Sequence, residues 1–312
     1  MISIITIPKP FKGHIGMIQR NALRSWAHVH PDVQIIVCGD EPGVAGIADA
    51  FGATWVREVE CNSYGTPLVS DAVIKADAEA RHDVLAYVNS DIVLLSDLVD
   101  AAGRIGFDRW LMVGRRTDLD VTDERDPREP GFEVELRADA RQRGVLHGDS
   151  GMDYFVWTRC RELLDLPRMA VGRPGWDNHF VYRARYILNL PVIDASPSVL
   201  AVHQNHDYAH VPGGDGRSYM GPETDAQRRA LDTMGYAGIH DATHVLAPTR
   251  LVRARDPAYR WARCRRHWLT RAQFRSERLA VRGFGRLRRA VKSVARGVSD
   301  APDSAAKPET CG

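Results

Sequence analysis

The amino-acid sequence predicts an α/β protein, a mostly parallel sheet flanked by helices, with a basic helical extension at its C-terminal end. Three observations lead there. Short apolar, β-rich runs alternate with longer helical stretches through the first half of the chain. Several of those runs stop abruptly at small polar or acidic residues, as strands do when their carboxyl ends face a ligand. Charge is also segregated. Residues 249–297 carry 16 Lys+Arg against 2 Asp+Glu in a chain whose net charge is only +2, so an acidic body is joined to a basic tail.

The elements follow in order. Residues 2–7 read as a first strand and 14–29 as a helix, then 33–38 as a strand and 44–51 as a helix. A short β-rich run at 54–59 precedes a helix at 67–80. The apolar run 84–88 is the fourth strand, 96–105 a helix and 110–114 a fifth strand. Residues 115–143 are rich in Asp, Arg, Glu and Pro without useful periodicity, and read as a long functional or disordered loop. Beyond it, 154–157 returns as a strand, 175–188 is helical, and 192–194 and 199–202 are short strands. We expect a main domain over residues 1–248, a basic helical extension over 249–298 and a disordered tail over 299–312.

Composition narrows the function classes. The chain is 44% hydrophobic and 26% charged, an ordinary globular balance. No stretch approaches the roughly 18 apolar residues of a membrane span, and the first residues read as a strand, not a signal peptide. Five scattered cysteines without a CxxC pair argue against a disulfide scaffold or a zinc cluster, and fit a cytoplasmic protein. There is no GxxxxGK[ST], no GxGxxG after the first strand and no GxSxG elbow.

The chemistry concentrates in a few short motifs. In Val88-Asn89-Ser90-Asp91-Ile92 an apolar strand ends, three polar residues follow, and the apolar pattern resumes at once. Turn chemistry alone places acids at strand ends, so this motif needs support from elsewhere. Residues 201–210 supply it, with His203, His206, Asp207 and His210 behind an apolar strand. Oxygen and imidazole ligands together suit Mn²⁺, or Mg²⁺ if nitrogen stays out of its coordination sphere. Gly175-Trp176-Asp177-Asn178 places an acid at a helix start, where the ordinary role is capping. Asp153 precedes the strand at 154–157, and Ile7, Pro8, Asp40 and Thr66 lie at strand ends or loop-to-helix junctions.

Spaced in this order over residues 1–208, these motifs resemble those of nucleotide-sugar glycosyltransferases of the GT-A fold, family 2-like, with Asn-Ser-Asp as a variant of the Asp-x-Asp element. The resemblance implies a Rossmann-like GT-A sheet and transfer of a hexose from a nucleotide-diphosphate sugar to an acceptor hydroxyl. It implies a divalent cation held by Asp91 with His203 and His206, His203 ranking first because it directly follows its strand. Asn89 and Ser90, with Ile7, Pro8, Asp40 and Thr66, would line the donor site. Asp177 would take the acceptor proton in an inverting enzyme and only bind acceptor in a retaining one, with Asp153 as the competing acid. Given the basic C-terminal segment, the acceptor that would fit is a glycan or a lipid-linked one, as in polysaccharide biosynthesis.

The basic segment, with Trp261, Trp268 and Phe274 among its arginines, favours peripheral attachment to the inner face of an anionic membrane. No nucleic-acid recognition motif accompanies the charge. Two rival readings stay open: a non-catalytic sugar or nucleotide binder of the same fold, and a nucleotidyltransferase. The latter is disfavoured by the lack of a glycine-rich loop after the first strand.

Overall fold

The computed structural model describes residues 1–206, 221–231, 234–255, 257 and 259. Its strands are β1 (Ile2–Thr6), β2 (Gln34–Cys38), β3 (Thr54–Val56), β4 (Val84–Val88), β5 (Ile92–Val93), β6 (Leu111–Leu119), β7 (Val145–Leu146), β8 (Met152–Thr158), β9 (Val192–Asp194), β10 (Ala201–Gln204), β11 (His244–Leu246) and β12 (Leu251–Arg253). The helices are α1 (Gly13–Val29), α2 (Val44–Phe51), α3 (Val69–Glu79), α4 (Asp97–Gly103), α5 (Phe132–Arg143), α6 (Trp176–Tyr182) and α7 (Pro222–Leu231).

The sheet runs β12-β11-β9-β6-β8-β4-β1-β2-β3. Strands β3, β2, β1 and β4 are parallel neighbours. β8 is inserted antiparallel between β4 and β6, and β6 and β9 resume parallel pairing. This is the mostly parallel α/β sheet flanked by helices that the alternation of elements predicts. Period-two side-chain alternation sorts the strand residues onto two faces. Ile4, Val37, Ala86 and Met112 pack with Leu23 and Trp26 of α1, Ala48 of α2 and Leu98 of α4. On the opposite face the Cys38 thiol meets the Ala72 carbonyl of α3. There too, Trp176 and Phe180 of α6 stack against Tyr87, Phe155 and Trp157.

β6 is the element that builds the site. Its first half pairs with β8 and β9, its register shifts between Gly114 and Arg115, and its second half pairs with β10 and β7. A Cβ at Gly114 would collide with the Tyr154 hydroxyl, so only glycine lets β6 pass that ring. The sequence places the end of this strand at residue 114; the strand instead continues to Leu119. Glycine followed by two arginines reads as a terminus, yet here it marks a bulge.

Two further expectations need correction. The stretch read as irregular contains α5, which docks through Phe132, Leu136 and Ala140, a stripe only one residue wide. Residues 251–253, placed by sequence inside the helical extension, form β12, an antiparallel partner of β11. Of that extension, residues 249–255, 257 and 259 are described; the remainder and the tail lie outside the described residues. One compact unit spans Met1–Arg255. Among the described residues no helix is long and apolar enough to cross a membrane.

Candidate metal and donor site

The site starts with a turn. After β4, the Ile92 amide bonds back to the Asn89 carbonyl at 3.1 Å, and the Asn89 amide is held by the Asp153 carbonyl at 3.0 Å. Asp91 then enters β5, which pairs antiparallel with β10. β10 in turn pairs parallel with β6, with His203 in register with Asp118. Register partners share a face, so His203 and Asp118 lie side by side, while on β5 the partner of His203 is Ile92 and Asp91 reaches the cluster from the turn just before that strand. His203 therefore lies within β10 instead of following it.

Helix α1 fixes this arrangement with buried polar side chains. Trp26 Nε1 donates to the Ile92 carbonyl at 2.9 Å, and the Leu94 amide donates to Ser25 Oγ at 3.1 Å. Asn21 Nδ2 donates to Gln204 Oε1 at 3.0 Å, while Gln204 Nε2 reaches the Ile18 carbonyl at 2.7 Å. Gln19 receives the Ser90 hydroxyl at 2.8 Å and the Lys9 amide at 2.7 Å, and donates to the Lys9 carbonyl at 2.9 Å. Gln19, Asn21 and Ser25 are each 1% exposed, so these bonds form in a medium where leaving them unmade is costly.

Asp91, His203 and His206 present ligand atoms that all lie within 4.8 Å of one another. His206 Nε2 is 3.2 Å and His203 Nε2 4.0 Å from Asp91 Oδ2. The other oxygen, Asp91 Oδ1, is buried and has no hydrogen-bond partner among the described residues. Two imidazoles beside a buried carboxylate form a donor set that suits a divalent transition ion. Burial would raise the Asp91 pKa, but the His206 contact and the Lys9 and histidine charges hold it well below the usual carboxylate range. Burial lowers the His203 pKa, favouring the neutral imidazole a metal needs. Asp207 and His210 lie outside the described residues.

Behind the cluster runs a chain of charged contacts. His203 Nδ1 lies 3.0 Å from Asp118 Oδ1, off the line of a good hydrogen bond. Asp118 also takes His147 Nδ1 at 2.6 Å and Arg116 Nε at 2.8 Å. Arg116 Nη1 continues to Asp153 Oδ2 at 2.6 Å, and Asn89 Nδ2 occupies Asp153 Oδ1. Burial would lower the Arg116 pKa, but Asp153 and Asp118 hold it above its usual value, so its charge is permanent.

The remaining expected residues fall in different surroundings. Asp177 is the second residue of α6 and accepts the Gly175 amide at 3.2 Å. Burial, aided by the like charge of Asp153, outweighs the backbone bonds around Asp177 and pushes its pKa up to about 6. Ser90 faces Gln19 and Asn89 faces Asp153, so neither side chain joins the cluster. Ile7 and Pro8 are buried beyond the end of β1. Asp40 is exposed and paired with Arg57 at 3.0 Å. Thr66 belongs to another cluster, its amide bonded to Asn62 Oδ1 at 3.0 Å and its side chain to Glu223.

Sequence reasoning missed Lys9, Gln19, Arg116, Asp118 and His147. Gln19 carried a readable signal, since it interrupts the apolar stripe Ile15, Ile18, Ala22, Trp26 of its helix.

No family model matches the chain, and no curated protein matches it. Among solved structures, the chain is similar to S. aureus TarS, at 17% identity and a TM-score of 0.31, over 39% of this chain and 22% of that one. TarS residues 1–349 with UDP-GlcNAc match at 16% identity and a TM-score of 0.29, over 41% and 38%. Glucosyl-3-phosphoglycerate synthase from M. tuberculosis, with Mn²⁺, UDP-glucose and phosphoglyceric acid, matches at 18% identity and a TM-score of 0.40, over 67% and 74%. The chain thus spans less than a quarter of the length of full TarS.

Proposed function

We propose that this protein is a metal-assisted glycosyltransferase, moving a sugar from a nucleotide-diphosphate donor to an acceptor hydroxyl. The observation that carries this reading is the Asp91, His203 and His206 cluster at the strand ends, with Asp91 Oδ1 buried and open. Those three residues would hold the ion. Mn²⁺ bound there, or Mg²⁺ held by Asp91 without the imidazoles, would neutralise the charge that builds on a diphosphate leaving group.

The chain's own groups supply the rest. α1 holds the Asn89–Asp91 turn and the Lys9 loop as one unit through Gln19 and Trp26, keeping the site rigid against the donor. Both Asp153 oxygens are taken by Arg116 and Asn89, which leaves Asp177 to accept the acceptor's proton. With a pKa near 6, Asp177 is ionised at neutral pH yet basic enough to help, the compromise that general-base catalysis favours. This role entails inversion at the anomeric carbon. The acceptor we favour is a glycan or lipid-linked sugar at the inner face of the membrane, with the basic residues of the extension as the membrane contact.

The test is incubation with UDP-, GDP- and dTDP-hexoses in Mn²⁺ or EDTA, following release of nucleoside diphosphate and product configuration by NMR. Mn²⁺-dependent release from one donor class, with inverted product, is expected. Tight donor binding with no turnover in any mixture would leave a non-catalytic binder of the same fold. Retained configuration would reduce Asp177 to acceptor binding.

A further inference from the structure

The ammonium of Lys9 sits where a bound cation would. Lys9 Nζ lies 3.3 Å from His206 Nε2 and 3.8 Å from Asp91 Oδ2, the same two atoms that stand 3.2 Å apart in the metal cluster. One imidazole nitrogen cannot both accept from the ammonium and donate to the carboxylate. If Nε2 accepts a hydrogen bond from the Lys9 ammonium, its lone pair and the carboxylate oxygen are both turned toward a common positive charge. That is the electrostatic arrangement of two ligands around a cation, with the lysine supplying the charge.

The backbone of Lys9 and its side chain are treated differently. Gln19 clamps both the amide and the carbonyl of Lys9, at 2.7 and 2.9 Å, and Ser90 ties the same Gln19 to the Asp91 turn. The side chain is 34% exposed, whereas that of Asp91 is 12% exposed. The anchor is fixed and the tip has room to move. A lysine stem is flexible, and its charge is a compact point rather than a planar fork, so the ammonium can leave the cluster without disturbing the loop.

We propose that Lys9 is the resident counter-ion of the Asp91–His206 pair, displaced when a divalent cation enters and then paired with the diphosphate of the nucleotide. This rests on the glycosyltransferase reading of the site. The exchange is of cation for cation, so Asp91 is never left as a bare buried charge, a state that would be strongly disfavoured. The released ammonium swings about a clamped backbone, and the diphosphate is the nearest new anion that this reading brings to the site. Lys9 therefore opposes metal binding in the empty protein and supports nucleotide binding in the loaded one.

These two effects have opposite signs, which makes the proposal testable. Mn²⁺ alone is titrated at pH 7 into the full chain, wild type and Lys9→Met, with free Mn²⁺ read by electron paramagnetic resonance. Lys9→Gln is the second variant, in case the first folds poorly. UDP, GDP and dTDP are then titrated at saturating Mn²⁺. We expect Mn²⁺ to bind the variants about 10-fold more tightly, from removal of a competing charge near 4 Å, and the preferred nucleotide to bind them about 10-fold more weakly. Unchanged or weaker Mn²⁺ binding by the variants, with wild type still binding, overturns the counter-ion role alone. Unchanged nucleotide affinity overturns the diphosphate role. Failure of wild type and variants alike to bind Mn²⁺ overturns the metal-site reading, and this proposal with it.

Discussion

Two of the polar side-chain clusters among the described residues differ in whether their bonds are closed. In the first, Arg173 grips Glu223 Oε2 through Nε and Nη2 at 2.9 and 2.6 Å and reaches the Gly172 carbonyl with Nη1. Asn62 Nδ2 occupies the other Glu223 oxygen at 2.7 Å. Donors and acceptors are matched, and the cluster ties α7 to the loop before α3. In the second, Asp91 leaves one buried oxygen open, and two imidazoles and an ammonium crowd the other. Satisfied networks rigidify a fold; a buried polar atom left open in a native structure calls for a partner. The comparison separates a structural tie from a binding site, although both contain residues that the sequence marked.

The largest effect should come from the acid beside the open cluster. Asp177→Asn should lower kcat by about 10³-fold, within the range for a general base, while Mn²⁺-dependent nucleotide binding stays as in wild type. In the wild type, the rate should rise with pH around a midpoint near 6, as Asp177 loses its proton, and the variant should lose that inflection. The sign for stability is opposite. A carboxyl whose pKa is raised on folding contributes stability below its unfolded pKa that is lost as pH climbs through the raised value. Asp177→Asn should therefore be more stable than wild type above pH 6, by urea denaturation.

The closed cluster should break differently. Arg173→Ala leaves the Glu223 carboxylate to Asn62 and Thr66 alone and should cost about 2 kcal/mol in chemical denaturation, as loss of hydrogen bonds to a charged group does. Nucleotide affinity measured on the folded fraction should not move. A change in affinity without a change in stability would invert the assignment of the two clusters.

Asp118→Asn probes the wall of the open site. The carboxylate meets His203, His147 and Arg116, so its neutralisation should weaken Mn²⁺ binding about 10-fold, as loss of an outer partner of a metal ligand does. The smallest effect belongs to the surface pair of Asp40 and Arg57, 53% and 64% exposed. Arg57→Ala should change stability by less than about 1 kcal/mol. Any effect on nucleotide affinity would come from the freed Asp40 carboxylate at the end of β2, which calorimetry can detect.

Much of the fold was legible because strand and helix periods are strong signals in apolar runs. Residues 44–51 and 84–88 coincide with α2 and β4 to the residue. Two stretches were not, for identifiable reasons. The continuation of β6 past Gly114 carries Arg115, Arg116, Thr117 and Asp118 in succession, because its face lines a polar site instead of the core. α5 buries only three residues in twelve, too few to register as an amphipathic helix. Those omissions hid Arg116, Asp118 and the loop bearing His147.

The candidate site was legible where a residue type was chemically unusual for its place. An acid between apolar runs marked Asp91, and clustered histidines marked His203 and His206. Their meeting depends on the β5-β10-β6 register, which no local pattern encodes. Thr66 had a plausible position at a loop-to-helix junction, yet its bonds go to Asn62 and Glu223. Lys9 carried no signal, because its significance lies in what sits opposite it across 197 residues of chain.

The measurement that bears most directly on the open cluster is calorimetric titration of UDP, GDP and dTDP, with and without Mn²⁺, into wild type and Asp91→Ala. The account predicts that one nucleotide binds in a Mn²⁺-dependent manner and that Asp91→Ala loses that binding, by at least about 100-fold given what the loss of even an outer metal partner costs. Nucleotide binding that is indifferent to Mn²⁺, or that survives in Asp91→Ala, would contradict it.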